Sequence, residues 1–153
     1  MRHLEVITDI AADPQRCFDL ARDVDVHLSS IPRSQERVVN RTTDGLLEQG
    51  DEVTFEARHF GVRWRLTACI TDLESPVRFV DEMQSGPFSS WRHQHVFTAR
   101  DGGTRMTDVA DYTPPVGPLG QLVDGLLLRR YMERLLVERG QHIKAVAEGR
   151  EEI

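Results

Sequence analysis

The chain has 153 residues, 39% of them hydrophobic, and a formal net charge of −6 from 19 basic and 25 acidic side chains. That length carries one domain with a core of its own, so a single unit spanning 1–153 is expected, without disulfide or metal clips. The basic residues, all arginine except Lys144, are scattered along the chain, which argues against nucleic acid as a partner. Residues 2–10 alternate, with Leu4, Val6 and Ile10 on one side, and predict a first strand. Asp13-Pro14 then marks a helix start, because Asp caps well and Pro suits the first helical position. Cys17, Phe18 and Ala21 form its apolar stripe, and a second short helix from about Asp23 to Ser30 ends at Ile31-Pro32.

From about Glu36 to Tyr112 the pattern has period two and is broken by turn residues, as in an antiparallel meander. Val53, Phe55, Ala57 and His59 share one parity, and so do Val62, Trp64, Leu66, Ala68 and Ile70. Further strands are predicted at about 77–85, 88–100 and 104–113, the last two joined by Asp101-Gly102-Gly103, a strong hairpin signal. After Pro114-Pro115-Val116-Gly117-Pro118 the period changes to that of a long helix, Leu119 to Ala147. Its apolar residues, among them Leu122, Val123, Leu126, Leu127, Met132, Leu135, Leu136 and Ile143, form a stripe wider than a core face needs. The surplus calls for a partner, whether a cavity, a ligand or a second copy in a homodimer. Residues 148–153 are expected to fray. No apolar run approaches the roughly 18 residues of a membrane span and nothing resembles a secretory leader, so a cytoplasmic protein without a transmembrane segment is expected. Cys17 and Cys69 lack metal-type spacing and are expected to be reduced.

The most informative strand is the one carrying Trp91, His93, His95 and Phe97 on a single face. Imidazoles in a dry core are costly unless hydrogen-bonded, so this face is expected to line a cavity. A two-residue turn at Asp101-Gly102 sets Phe97 opposite Met106, His95 opposite Asp108, His93 opposite Ala110 and Trp91 opposite Tyr112. In the preceding hairpin Val77, Phe79 and Met83 carry Asp81 to the same face, opposite His93 if Gly86-Pro87-Phe88 is the loop, or opposite Trp91 if the loop begins at Ser85. The expected polar site is therefore two carboxylate–imidazole pairs, Asp81 with His93 and Asp108 with His95.

A strand, two short helices, six more strands and a long helix make an α+β helix-grip, a curved seven-stranded sheet around the last helix. The chain resembles the START and birch-pollen-allergen-like superfamily, in particular its bacterial polyketide cyclase/dehydrase and lipid-transport branch (SRPBCC proteins). The resemblance covers about residues 3–147. It rests on the order of local phrases: Asp13-Pro14 leading to Phe18 and Asp23, Pro32, Gly50-Asp51, Phe79-Val80-Asp81-Glu82, Gly86-Pro87-Phe88, His93-x-His95-x-Phe97, Gly102-Gly103-Thr104 and Tyr112-x-Pro114 before Gly117. Fold likeness alone transfers little chemistry.

The expected function is binding of an apolar or aromatic small molecule, such as a lipid, isoprenoid quinone or polyketide-like ring. Phe55, Trp64, Phe79, Met83, Trp91, Phe97 and Met106 would form the walls, Asp81, His93, His95 and Asp108 the polar anchors, His59 a mouth residue and Tyr112 a hydroxyl. The rival readings are a buried polar network that fixes register, a cyclase or dehydratase using those four residues as acid–base groups, and a protein-interaction module built on the wide helix. No cofactor fingerprint is present. His-x-His on a strand can chelate, but no further ligand follows at a chelating spacing, so no metal is expected.

Overall fold

The computed structural model describes residues 1–117 and 125–153. The alternating segments form seven strands: β1 (Arg2–Ile10), β2 (Arg37–Arg41), β3 (Glu52–His59), β4 (Val62–Glu74), β5 (Arg78–Ser85), β6 (Ser90–Arg100) and β7 (Gly103–Thr113). They pair antiparallel in the order β1-β7-β6-β5-β4-β3-β2. Two helices follow β1, namely α1 (Pro14–Ala21) and α2 (Val24–Ser29), and α3 (Gly125–Ala147) runs back across the sheet. This is the helix-grip arrangement expected from the element order.

Local chemistry sets the element ends. The Asp13 carboxylate accepts from the Arg16 backbone N–H at 3.0 Å with Pro14 at the first helical position, and Asp23 caps α2 in the same way. Arg16 reaches on to the C-terminal carbonyls of α3, donating to Val146 and Ala147, where the negative helix end favours a cation. Gly149, at φ +74°, closes α3 by letting Arg150 N–H reach the Ala145 carbonyl and Gly149 N–H that of Val146. Beyond α3, Glu148 accepts from the Ala11 N–H and Glu151 pairs with His142.

Burial alternates strictly along β1 and β7, whereas in β3 and β5 the outward-parity Glu56 and Val80 are buried beside Ala57 and Phe79. Val62, at the β3–β4 turn, and Val77, just before β5, have the inner parity but are exposed. Register shifts between Thr67 and Ala68 and between Ile70 and Asp72 interrupt the β4–β5 ladder. Such bulges bend a strand and raise its twist. The core under α1 joins Phe18 to Phe79 and Phe97 edge to face, at 5.7 and 5.5 Å between ring centres, while Leu4, Ala110, Tyr112 and Leu136 form a second cluster under α3. Leu128, Leu135 and Leu136 of α3 are buried, whereas Leu126, Leu127 and Val137 are exposed. The expected helix start at Leu119, with Leu122 and Val123, lies outside the described residues. Cys17 and Cys69 are both free.

Candidate functional site

The site begins with cross-strand register. Asp81 of β5 lies opposite His93 of β6, and His93 opposite Ala110 of β7; one step along, Phe79, His95 and Asp108 are in line. The hydrogen bonds, however, run along the diagonals rather than between the directly opposed residues that the register pairs. His93 Nε2 is 3.0 Å from Asp108 Oδ1, and His95 Nε2 is 3.0 Å from Asp81 Oδ2. His95 Nδ1 also lies 2.9 Å from Asp108 Oδ1, but without hydrogen-bond geometry. His93 Nδ1 is 3.7 Å from Asp81 Oδ2. The two imidazoles, 3.9 Å apart between centres, are thus clamped between two carboxylates in one tetrad.

Aromatic rings fix the tetrad from the sides: Phe79 stacks on His95 at 4.1 Å, and Trp91 meets His93 edge on. Burial pushes the His95 imidazolium toward neutrality, but Asp108 and Asp81 outweigh it and raise its pKa to about 9. The same pairing, against the opposing effect of burial, holds Asp81 below its ordinary value and Asp108 far below it. His95 is therefore a cation at neutral pH.

A second polar group faces the same space from the helices. His27 Nε2 is 3.1 Å from Glu36 Oε1, and Arg139 of α3 donates to Glu36 at 3.2 Å and to Ser30 Oγ at 2.8 Å. Burial raises the Glu36 carboxyl, yet His27 and Arg139 hold it at about 2. Burial and Arg139 push His27 down against the pull of Glu36, and its ring stacks on Phe55 at 4.4 Å. At the end of β3, His59 Nδ1 shares a hydrogen bond with the Tyr131 hydroxyl, and Trp64 Nε1 donates to the His59 carbonyl. Both polar groups and the His59–Tyr131 pair border one cavity of about 280 Å³.

Residues 1–148 match the family described as polyketide cyclase / dehydrase and lipid transport. The chain belongs to that family. No curated protein matches it. Among solved structures, the Zhui aromatase/cyclase from a Streptomyces species superposes with a TM-score of 0.78 at 16% identity, covering 97% of this chain and 94% of that one. A START superfamily protein from Mycobacterium smegmatis gives 0.74 at 11% identity, over 96% and 97% of the two chains. TTHA0849 from Thermus thermophilus gives 0.69 at 22% identity, over 95% and 99%. At these identities the likeness shows the fold that this member of the polyketide cyclase / dehydrase and lipid transport family shares with them.

Nine of the thirteen residues singled out in the sequence border the cavity: Phe55, His59, Trp64, Phe79, Asp81, Trp91, His93, His95 and Asp108. Four do not. Phe97, Met106 and Tyr112 are packed into the core beneath α1 and α3, and Met83 lies against Gly86 at the β5 end. The Tyr112 hydroxyl is buried without a hydrogen-bond partner among the described residues, and its phenol is pushed up by burial. Sequence reasoning missed His27, Glu36, Tyr131 and Arg139. For the last two a signal existed: with Leu128 and Leu135 they form an i, i+3, i+7, i+11 row that helical period places on one face. For His27 and Glu36, on a six-residue helix and a loop, period offers none. The third chelating side chain that spacing did not supply comes from β5: Asp81, His93 and His95 each offer a ligand atom, all within 4.8 Å of one another. Among the described residues no helix is long and apolar enough to cross a membrane.

Proposed function

We propose that this protein binds an apolar or aromatic small molecule between its sheet and α3, with the tetrad as polar anchor. The observation that carries the reading is a cavity walled by Phe55, Trp64, Phe79 and Trp91, into which a few fixed polar groups converge. That composition is what small-molecule recognition requires, and about 280 Å³ is at the small end of such sites, which favours a compact ring over a long lipid. The Zhui protein is an aromatase/cyclase by name, consistent with a polyketide-like ring as the ligand class.

Native mass spectrometry of protein purified from its own host tests the reading: a small molecule should co-purify. Trp91→Ala should weaken rebinding of that molecule more than Arg92→Ala, because Trp91 borders the cavity and Arg92 has the opposite parity. Truncating a large aromatic also costs stability, about 3–5 kcal/mol when fully buried, so the comparison is made on variants shown to be folded. Equal losses at both positions would overturn the placement.

His95 supports a second reading, turnover by a cyclase or dehydratase. Held as a cation in the cavity wall, it has a proton to give to a leaving hydroxyl. Loss of one water from the bound compound on incubation would distinguish this from simple binding. Support for docking a partner or a second copy is confined to exposed apolar residues of α3 such as Leu127 and Val137, and a mass that doubles with concentration would report it.

A further inference from the structure

The tetrad is not symmetric in what its members do. Asp108 sits on one edge of both rings, 3.0 Å from His93 Nε2 and 2.9 Å from His95 Nδ1. Asp81 sits on the other edge, 3.0 Å from His95 Nε2 and 3.7 Å from His93 Nδ1. Asp108 shares a hydrogen bond with His93 Nε2 and lies beside His95 Nδ1 without hydrogen-bond geometry, so His93 Nδ1 and His95 Nε2 are the nitrogens that face Asp81. A histidine that ligates a metal has this arrangement, with a carboxylate behind one nitrogen fixing the ring and the other nitrogen left for the ion.

The geometry points to a divalent transition-metal site of the two-histidine, one-carboxylate type, with Asp81, His93 and His95 as ligands and Asp108 as the positioning residue. Three observations carry it. The ligand atoms lie within 4.8 Å of one another. With metal–ligand bonds of about 2.0–2.2 Å, two ligand atoms at tetrahedral or octahedral angles are separated by roughly 3.0–3.5 Å. The two distances to Asp81 Oδ2, 3.0 and 3.7 Å, bracket that range, so an ion can enter with small side-chain movement. All three ligands border the cavity, so the remaining coordination positions face it rather than packed protein. Imidazole and carboxylate together suit zinc or ferrous iron. The inference goes beyond organic-ligand binding and does not depend on it.

The test uses the whole chain, stripped with a chelator and titrated with Co(II), whose visible absorption reports nitrogen and oxygen ligation. One equivalent should bind saturably and be displaced by Zn(II), and in the unmodified protein the ring protons of His93 and His95 should be paramagnetically shifted. Asp108→Asn should weaken binding about 10–100-fold and change the shape of the absorption band, because the rings lose their orientation. His95→Asn should weaken it more, and Arg92→Ala should leave both affinity and band unchanged. Absence of saturable absorption by the folded protein would overturn the proposal. So would paramagnetic shifts confined to His3 or His142, whose carboxylate partners Asp111 and Glu151 offer surface sites instead.

Discussion

Glu36 shows how one buried carboxylate ties the helices to the cavity. Its side chain is 7% exposed, and His27 and Arg139 hold it ionised at about 2 against an ordinary 4.5. Because the folded value lies below the unfolded one, its stabilisation is complete above about pH 4.5 and is lost as pH falls toward 2. The contribution is of order 3 kcal/mol at neutral pH. Glu36→Gln should therefore lower the melting temperature at pH 7 and flatten its fall between about pH 5 and pH 2. Melting curves across that range check it, and an acid limb as steep as before would show that Glu36 does not govern it. At this scale His93, His95, Asp81 and Asp108 were legible because strand alternation assigns a face to each residue. The direction of their hydrogen bonds was not, since register fixes Cα positions and the rings choose the diagonals by rotation about their side-chain bonds.

At the scale of elements, the β6–β7 hairpin was the most legible part, and its turn explains why. Arg100 pairs with Gly103 across Asp101-Gly102, with Gly102 at φ +77°. The two glycines are required for different reasons. A Cβ on Gly102 meets nothing within 4 Å, so Ala there costs only backbone strain, about 1–2 kcal/mol. A Cβ on Gly103 would collide with the Ile10 carbonyl, and only displacement of the β1 end relieves it. Gly103→Ala should thus lower the melting temperature more than Gly102→Ala, and the reverse order would contradict the close approach of β1 to this turn. The β4–β5 ladder was less legible. A bulge adds a residue without any change in composition, so alternation alone does not reveal that Ile70 pairs with Asp81 and Asp72 already with Val80.

For the whole molecule, the boundary between core and cavity was the hardest feature to read. Phe97 and Met106 share the parity of His95 and Asp108, yet they are core because Phe18 of α1 packs on that end of the sheet. Parity tells which face a residue occupies; where along the strand the covering helix sits depends on contacts distant in sequence. If the space left uncovered is a ligand site, its occupation stabilises the entire fold. The compound that co-purifies, added back to stripped protein at about 100 times its dissociation constant, should contribute about 2.7 kcal/mol. For a chain of this size that amounts to a rise in melting temperature of roughly 5–10 °C, measurable by differential scanning fluorimetry. An unchanged melting temperature would place the compound elsewhere than in a site specific to the folded state.

The strand order also dictates when this protein becomes competent. β2 to β7 each pair with their neighbour in sequence, but β1, the first to be synthesised, has only β7 as its partner. During translation β1 must wait with Leu4 and Val6 unpartnered until the rest of the meander is complete, and the closure entropy of that long loop falls on the late steps of folding. A ribosome stalled before β7 therefore holds a chain with an orphan apolar strand, a natural client for a chaperone. Such a chain also lacks Asp108, so no chain halted before β7 carries the completed tetrad, and the four residues come together in the same event that seals the sheet.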